Sequence, residues 1–287
     1  MTLNDYSTIN TPTWCPGCGN FGIWAGLRTV LAQLNIPSHE LVIAHGVGCA
    51  GNGSNFFKSY GFHGLHGRAL PLASGIKIAN HKLNVIVMGG DGDGYGIGAG
   101  HFVHACRRNL GIKYIVHDNQ IYGLTTGQTS PTSEHGFKTK STPSGVIEYP
   151  VNPISLALAS GASFVARTFS GDVPHLISTF KAALEHKGFA FVDVFQPCVT
   201  YNHLNTFQYF RDRCYHLDNT NHDKSNFKEA MLKAIETDDK LPIGIFYQNE
   251  SLNTYEESLP QLVNNSLVEQ SNDLESIDIS SDYSLFS

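Results

Sequence analysis

Short apolar runs that end in glycine or polar residues alternate with helix-forming segments along most of this 287-residue chain. Three of these runs are LVIAHGVGC (41–49), LNVIVMGGDGD (83–93) and KYIVHDN (113–119), and each follows a segment whose apolar residues recur at helical spacing. Alternation of this kind favours a parallel sheet, because each crossover returns the chain through a helix. The sequence therefore predicts an α/β fold, with a parallel sheet and helices on both of its faces.

The composition argues against two classes of protein. The formal net charge is only −6 and the 19 Lys and Arg residues are scattered, so the chain lacks the basic stripe of a nucleic-acid binder. The N-terminal residues MTLNDYSTIN contain no basic region followed by an apolar run, and the longest apolar stretches have only strand length. We therefore expect a cytoplasmic protein with no membrane segment and no nucleic-acid partner.

The sequence divides into one domain and a tail. Residues 1–250 show no internal repeat, and we expect them to fold as one domain. From Leu241 onward there is no Lys or Arg, but there are eight Asp and Glu residues. Such a segment is typical of disorder, and the alternative is an arm on a neighbouring chain. We predict that residues 251–287 form an acidic tail that is either disordered or packed on a partner subunit.

The glycine-rich segment after the second apolar run allows two interpretations. Residues 94–99 fit the relaxed G-x-G-x-x-G/A fingerprint of a dinucleotide site, which would make the protein an NAD-dependent dehydrogenase. However, Asp91 and Asp93 stand where a bare pyrophosphate would lie, and carboxylates repel it unless a cation intervenes. Asp91 and Asn119 each follow a strand at the same edge of the sheet, and their oxygens suit Mg²⁺.

Six cysteines in a reducing compartment are more typical of ligands or catalysts than of disulfides. Cys15 and Cys18 form a C-x-x-C pair, but residues 1–14 offer no strand for a thioredoxin-like motif, and no second C-x-x-C follows at zinc-ribbon spacing. Cys49 and Cys198 each follow an apolar strand. Four thiolates from distant points of the chain suit a [4Fe–4S] cluster within a preformed fold.

The order of several motifs is more specific than any one of them. They are CPGCGNFG, GVGC, HGLHGRALPLASGIK, GDGDGYGIGAGH, HDNQIYGLTTGQTSPT and QPCVTYN. In this order they resemble the β subunit of the 2-oxoacid:ferredoxin oxidoreductases, over about residues 11–250. The resemblance implies that the parallel-sheet domain binds the diphosphate of thiamine diphosphate (ThDP).

The same resemblance assigns roles to individual residues. It implies one [4Fe–4S] cluster on Cys15, Cys18, Cys49 and Cys198, and Mg²⁺ on Asp91, Asn119 and the carbonyl of Ile121. It places ThDP against Val47, Gly48, Cys49, Ala50, His66, Gly92, Asp93, Gly123 and Leu124. His66 is the candidate catalytic residue, and the alternative is a structural histidine in a turn. We expect only packing or surface roles for Cys106, Cys214, His101 and His104.

The resemblance also implies an activity. The chain would be the β subunit of an enzyme that oxidatively decarboxylates a 2-oxoacid to acyl-CoA and CO₂, reversibly in principle, with one-electron transfer through the cluster to ferredoxin. We expect 2-oxoglutarate as the substrate and pyruvate as the alternative, with the loop LTTGQ (124–128) nearby. No pyrimidine-binding domain is visible, so an α subunit should complete the site, in a dimer of αβ units.

Three other functions stay open on the residues alone. An NAD-dependent dehydrogenase would bind a nicotinamide cofactor without Mg²⁺, and a non-redox ThDP lyase would lack iron. A pure electron-transfer module would contain iron but no ThDP. The cofactor content of the purified protein therefore distinguishes them.

Overall fold

A computed structural model describes residues 1–237, 239–270 and 280–284. Within this part of the chain, eight strands form one sheet. They are β1 (Leu41–His45), β2 (Tyr60–His63), β3 (Asn84–Gly90), β4 (Ile112–Asp118), β5 (Phe164–Phe169), β6 (Ala190–Phe195), β7 (Cys214–His216) and β8 (Leu241–Gln248). Across the sheet their order is β2-β1-β3-β4-β6-β5-β8-β7.

Most of the sheet is parallel. The six strands from β2 to β5 in the spatial order all pair in parallel. β8 pairs antiparallel with β5, and β7 pairs parallel with β8, so two strands at one edge run the other way. The predicted α/β fold with a parallel sheet is confirmed, and the reversed edge pair is a feature that strand-helix alternation did not predict.

Helices cover both faces of the sheet. They are α1 (Asn20–Gln33), α2 (Ala69–Ala79), α3 (Ala99–Arg108), α4 (Pro153–Ala159), α5 (Val173–Glu185), α6 (Phe207–Arg213), α7 (Phe227–Ala234) and α8 (Ser280–Ser284). Helices α1 and α5 pack on one face, where Leu27 and Phe180 are fully buried. Helices α2, α3, α4 and α7 pack on the other, around Phe102 and Ala230. None of the described helices is both long and apolar enough to cross a membrane.

The double covering explains why the central strands are apolar without alternation. In β6, Phe191 belongs to the core on one face and Val192 to the core on the other, and both are fully buried. A strand that is buried on both sides favours a continuous apolar run. Each such side chain contributes roughly 1.5–3 kcal/mol of burial free energy, so the central strands hold the two layers together.

The acidic segment starts on the surface of this chain's own domain. Within residues 251–270, Glu256 and Leu262 are buried. Glu256 Oε1 accepts a hydrogen bond from the backbone N–H of Gly111 at 3.0 Å, and Lys82 Nζ lies 2.7 Å from Glu269 Oε1. This part therefore packs on its own domain, whereas we expected disorder or a partner contact. Residues 271–279 and 285–287 lie outside the described residues.

The buried histidine at the end of β1 generates a pH prediction. His45 is fully buried, and burial lowers the pKa of its imidazole to about 3. The pKa of an unfolded histidine is about 6.5, so below that pH the unfolded state binds a proton that the folded state excludes. This group therefore removes stability as the pH falls through 6.5, and the slope approaches about 1.4 kcal/mol per pH unit well below that pH.

The substitution His45→Gln abolishes that penalty. We expect the destabilisation that His45→Gln causes in urea titrations to shrink by about 1 kcal/mol between pH 6.5 and pH 5.5. The matched control is His39→Gln, because the side chain of His39 is 73% exposed, and its difference from wild type should not change over the same range. A constant difference for His45→Gln would contradict the prediction.

Candidate functional site

Four neighbouring strands deliver the candidate site residues to one edge of the sheet. Strands β1, β3, β4 and β6 lie side by side and parallel, so their carboxyl ends meet at that edge. Cys49 follows β1, Asp91 follows β3, Asn119 follows β4 and Cys198 follows β6. Residues that are far apart in the sequence therefore come together.

A cleft at this edge contains all the residues that the family resemblance placed against ThDP. They are Val47, Gly48, Cys49, Ala50, His66, Gly92, Asp93, Gly123 and Leu124. The three candidate magnesium ligands, Asp91, Asn119 and Ile121, line the same cleft. His117, Tyr122 and Thr125 also border it. The sequence-derived cofactor contacts and magnesium ligands therefore share one place in the fold.

Glycines let the walls of the cleft approach each other closely. A Cβ at Gly92 would lie 2.2 Å from Tyr122 Cε1, and one at Gly46 would lie 2.0 Å from Asp93 Oδ2. Real Cβ atoms do not approach so closely, so only glycine fits at either position. Gly48 has a φ of +120° and open space where a side chain would point, so this glycine serves the left-handed turn itself.

Asp93 joins three segments of the cleft. Its Oδ1 accepts hydrogen bonds from the backbone N–H groups of Val47 at 3.0 Å and Gly67 at 2.8 Å. The same oxygen lies 3.0 Å from His66 Nδ1. The carboxylate therefore fixes the turn after β1 and the turn before α2, and it faces the imidazole of His66. The sequence suggested a cofactor contact at Asp93, and the structure adds this organising role.

Asp91 is a buried carboxylate whose charge is balanced by no side chain in the described part of the chain. Its Oδ2 accepts hydrogen bonds from Ser130 Oγ at 2.5 Å and Thr132 Oγ1 at 2.7 Å. Burial raises the pKa of Asp91 to about 6, and the two hydroxyl groups oppose this shift. Among the described residues, no Lys, Arg or His forms an ion pair with it. A buried carboxylate of this kind fits a bound cation, which would stabilise its charged form.

The turn after β4 supplies the other candidate magnesium ligands. Asn119 Oδ1 accepts a hydrogen bond from the backbone N–H of Ile121 at 3.1 Å, and the Asn119 carbonyl accepts one from Asn202 Nδ2 at 3.0 Å. Gln120 between them has a left-handed φ of 57°. This tight turn keeps Asn119 and Ile121 in the cleft that Asp91 lines. A carboxylate, an amide oxygen and a backbone carbonyl are oxygen donors of the type that Mg²⁺ takes.

The four candidate cluster ligands line a second cavity beside the cleft. Cys15, Cys18, Cys49 and Cys198 all border it. The sulfurs of Cys198 and Cys49 lie 3.4 and 3.7 Å from the point where a Cβ on Gly123 would be. The cavity shares Cys49, Asn119, Gly123 and Leu124 with the cleft. The two candidate cofactor sites therefore have a common wall.

Burial raises the pKa of two of the thiols that line this cavity. It raises the pKa of Cys18 to about 12 and that of Cys49 to about 11, and the neighbouring thiols add to both shifts. No three His, Cys, Asp or Glu side chains of the described residues surround a single ion position. A [4Fe–4S] cluster needs a wider arrangement, because each thiolate binds a different iron. Four cysteines around one cavity fit that arrangement.

Trp14 holds the C-x-x-C loop in place. Its indole Nε1 donates a hydrogen bond to the carbonyl of Cys49 at 2.7 Å. Its ring packs edge-on against Phe21 and Phe56, with centroid distances of 5.4 and 5.0 Å. The tryptophan before Cys15 therefore ties this loop to the turn after β1.

Two other cysteines and two histidines, which could in principle bind a metal, lie away from both cavities. Cys106 is fully buried in the core on α3, and Cys214 packs beside the aromatic cluster of Phe169. His101 Nε2 lies 2.7 Å from Arg68 Nη1, and His104 is exposed. None of them borders the cleft or the cysteine cavity.

Reasoning from the sequence missed several residues that shape the site. Ser130 and Thr132 contact Asp91, Tyr122 donates a hydrogen bond to the Gly92 carbonyl at 3.1 Å, and Gln196 contacts Asn119. For Tyr122, Ser130 and Thr132, the only signal in the sequence was the loop of residues 122–150 that contains them. This loop is rich in Gly, Ser, Thr and Pro and too long to be a simple connection. That signal indicated a functional loop but not the partner of each hydroxyl group.

Comparison with known families identifies the class of protein. Residues 36–194 match the family described as "Thiamine pyrophosphate enzyme, C-terminal TPP binding domain". Residues 198–264 match the C-terminal family of the "Pyruvate ferredoxin oxidoreductase beta subunit". The glycines that suggested a dinucleotide site serve packing instead, since a Cβ at Gly94 would lie 2.0 Å from the hydroxyl of Tyr114. The NAD interpretation was therefore wrong.

Individual relatives narrow the class. The chain is 47% identical to the beta subunit of a 2-oxoacid:ferredoxin oxidoreductase of Saccharolobus solfataricus, over 86% of this chain and 85% of that protein. It is 36% identical to the KorB subunit of a 2-oxoglutarate synthase of Archaeoglobus fulgidus, over 81% and 83% of the two chains. The structure of a 2-oxoglutarate:ferredoxin oxidoreductase from Magnetococcus marinus matches with a TM-score of 0.91 and 37% identity, covering 100% of this chain and 96% of that one.

These matches confirm the family that the motifs predicted. The chain belongs to the 2-oxoacid:ferredoxin oxidoreductases, as a β subunit. It is thus part of an oxidoreductase enzyme complex.

The contact between Gly92 and Tyr122 generates a second prediction. In Gly92→Ala the new methyl group would overlap the Tyr122 ring, so the ring must leave the wall of the cleft. We expect a loss of about 1–3 kcal/mol of stability from this overpacking and weaker ThDP binding in titrations of the complex. The control is Gly100→Ala on α3, where a Cβ meets nothing within 4 Å, and this variant should bind ThDP like wild type. Unchanged binding by Gly92→Ala would contradict the assignment.

Proposed function

We propose that this β subunit binds ThDP, Mg²⁺ and one [4Fe–4S] cluster, and that it oxidises a 2-oxoacid to acyl-CoA and CO₂ with ferredoxin as electron acceptor. The common wall between the cleft and the cysteine cavity carries the proposal, because it joins Cys49 and Asn119 to both candidate sites. An electron donor and a one-electron acceptor need such proximity. The proposal includes a cytoplasmic location, because none of the six cysteines is paired in a disulfide, which is typical of a reducing compartment.

Different residues of the cleft would bind the Mg²⁺ and the diphosphate of ThDP. Asp91, Asn119 and the Ile121 carbonyl would hold Mg²⁺, and the metal would neutralise the diphosphate. The glycines beside Asp91 leave the backbone open to the phosphate groups. When bound, ThDP supplies the carbanion chemistry on the carbonyl carbon of the substrate. This chain orients the cofactor for that chemistry.

His66 is the candidate for proton handling at the mouth of the cleft. Its side chain is 32% exposed, and its Nδ1 lies 3.0 Å from Asp93. Because Nδ1 faces this carboxylate, Nε2 is the ring nitrogen that is left to meet a ligand. His66 would therefore bind a polar group of the cofactor or substrate through Nε2.

A partner α subunit is part of the proposal. The described residues form one sheet, which supplies a diphosphate-binding domain but no second domain to hold the pyrimidine ring. Large apolar side chains are exposed near the cleft, including Leu65 at 78% and Leu124 at 51%. Exposed apolar surface beside a site favours a covering partner. We infer that the α subunit seals the cleft there, in a dimer of αβ units.

The substrate that we propose is 2-oxoglutarate, with pyruvate as the alternative. Support comes from the names of the relatives, which include 2-oxoglutarate synthase subunits, and from the Magnetococcus marinus structure with 2-oxoglutarate, coenzyme A and succinyl-CoA bound. The match to a pyruvate ferredoxin oxidoreductase family over residues 198–264 favours the alternative.

The cluster assignment is tested by removing one thiol at a time. We expect Cys198→Ser, in the complex purified without oxygen, to lose most of its iron and acid-labile sulfide, because a hydroxyl is a poor replacement for a thiolate ligand. The control is Cys106→Ala, which removes a buried thiol from the core on α3, away from the cavity, and it should keep the wild-type iron content. Equal iron in wild type and Cys198→Ser would refute the assignment.

The division of labour is tested with the separate subunit. We expect the complex to show bleaching of its visible spectrum on addition of 2-oxoglutarate, with turnover after coenzyme A, and a weaker response to pyruvate. The isolated β subunit should show no 2-oxoacid oxidation with any acceptor, since its cleft lacks a closing domain. Full turnover by the isolated chain would refute the need for an α subunit, and a stronger response to pyruvate would reverse the substrate assignment.

A further inference from the structure

A single buried side chain connects the candidate cluster site with the candidate magnesium site. Gln196 is the first residue after β6 and is 1% exposed. Its Nε2 donates to the sulfur of Cys18 at 3.3 Å and to the carbonyl of Pro197 at 2.9 Å. Its Oε1 accepts a hydrogen bond from Asn119 Nδ2 at 3.3 Å. Gln196 therefore contacts one candidate ligand of each metal site.

The hydrogen bonds of this network fix the orientation of both amide groups. The Pro197 carbonyl can only accept, so the NH₂ group of Gln196 must face it. The oxygen of Gln196 then faces Asn119, which must present its own NH₂ group in return. As a result, the amide oxygen of Asn119 faces away from Gln196, where it accepts a hydrogen bond from Ile121 and is free to bind a cation.

The glycine after Cys18 leaves space for the side chain of Gln196. A Cβ at Gly19, just after Cys18, would lie 2.9 Å from Gln196 Cγ and 2.6 Å from Ser170 Oγ. The backbone N–H of Gly19 donates to the Pro197 carbonyl at 3.3 Å. The C-x-x-C loop and the turn after β6 are therefore held together around Gln196, and its side chain has little room to move.

We propose that Gln196 is a positioning residue for both cofactor sites: its amide N–H tunes the cluster through Cys18, and its amide oxygen fixes Asn119 as a magnesium ligand. The inference rests on the proposed function. It assigns a role to a side chain that is not itself a metal ligand in either site.

The effect on the cluster follows from electrostatics. A hydrogen bond to a ligand sulfur removes negative charge from the cluster, and this stabilises the reduced form, which carries the extra electron. The donor is buried, so water does not replace it. Removal of the N–H group therefore lowers the reduction potential of the cluster.

The effect on magnesium follows from the loss of orientation. Without an acceptor at Gln196 Oε1, the NH₂ group of Asn119 loses its partner, and only the hydrogen bond from the backbone N–H of Ile121 still orients the amide. Loss of a residue that orients a ligand typically weakens metal binding by about 10–100-fold. The two effects use different atoms of the same amide group, so two substitutions can separate them.

The test compares Gln196→Met and Gln196→Glu in the complex with the α subunit. Methionine removes both the donor and the acceptor at similar length. Glutamate keeps an oxygen for Asn119 but removes the donor and adds negative charge near Cys18. The control is Gln208→Met on α6, an exposed residue whose Nε2 donates to Asp212 Oδ1 at 2.7 Å.

Two quantities are measured for each protein: the cluster potential, by a redox titration monitored by electron paramagnetic resonance, and the Mg²⁺ concentration for half-maximal ThDP binding. We expect Gln196→Met to lower the potential and to raise the Mg²⁺ requirement about 10–100-fold. Gln196→Glu should lower the potential further and change the Mg²⁺ requirement far less than Gln196→Met does. Gln208→Met should match wild type in both.

Each other result overturns the proposal. An unchanged potential in Gln196→Glu shows that the amide does not act on the cluster. A wild-type Mg²⁺ requirement in Gln196→Met shows that it does not orient Asn119. If Gln196→Met fails to assemble, Gln196→Leu, which also lacks both the donor and the acceptor, replaces it in both measurements. A wild-type complex that contains no iron or no ThDP would refute the proposed function, and this outcome is distinct from a failure of the Gln196 variants.

Discussion

The site depends on the register of four parallel strands. The last pairs of residues are His45 with Met88, Gly90 with His117 and Asp118 with Phe195. The residues that follow these pairs therefore emerge close together at one edge of the sheet. Asn119 and Gln196 are direct neighbours for this reason, and the backbone N–H of Gln196 donates to the Asp118 carbonyl at 2.8 Å. A slip by one residue would turn each following side chain to the opposite face.

The same convergence concentrates negative charge in the interior. Asp91, Asp118 and Asp193 are all buried, and Asp193 is paired with Arg167 at 2.8 Å. Burial and the carboxylates of Asp193 and Asp91 raise the pKa of Asp118 well above its usual range. Thr132 links Asp118 and Asp91, since its hydroxyl lies 2.8 Å from Asp118 Oδ1 as well as 2.7 Å from Asp91 Oδ2.

Such a cluster is unfavourable unless something compensates for it. Buried carboxylates cost several kcal/mol each when their charge is unpaired, so they bind a proton or a cation. Arg167 compensates for Asp193, and no described side chain does so for Asp91. A ligand that binds only the folded state stabilises it, by an amount that grows with the logarithm of the ligand concentration above Kd. A cation that binds at Asp91 would therefore also stabilise this edge of the sheet.

The sequence predicts the parts of this structure that depend on regular patterns. Strand-helix alternation predicted the parallel sheet, and the positions after the strands predicted that Asp91, Asn119, Cys49 and Cys198 would come together. The alternation did not predict the reversed strands β7 and β8, because an antiparallel edge strand has the same apolar pattern as a parallel one. The packing of residues 251–270 on the domain was also not predicted, because composition averages over a segment and conceals a single buried glutamate.

Side-chain networks were beyond sequence reasoning for a different reason. Ser130, Thr132 and Gln196 are polar residues in irregular segments, and their partners are set by tertiary structure and not by spacing. The hydroxyls of Ser130 and Thr132 reach Asp91 from 39 and 41 positions away. No local pattern specifies such a contact. Residue types alone can therefore indicate the ligands of a site more readily than the residues that orient them.

The wall between the two cavities is thin because a glycine, Gly123, forms part of it. Gly123 lies between the cleft and the cysteine cavity, and a Cβ there would reach within 3.4 Å of the Cys198 sulfur and 3.7 Å of the Cys49 sulfur. A larger side chain would fill space that belongs to the candidate cluster, or would separate it from the cleft. Because Gly123 follows the candidate magnesium ligand Ile121 by two residues, the same short turn both supplies a ligand and keeps the two sites close. The short distance between the two candidate sites is thus a consequence of the turn after β4.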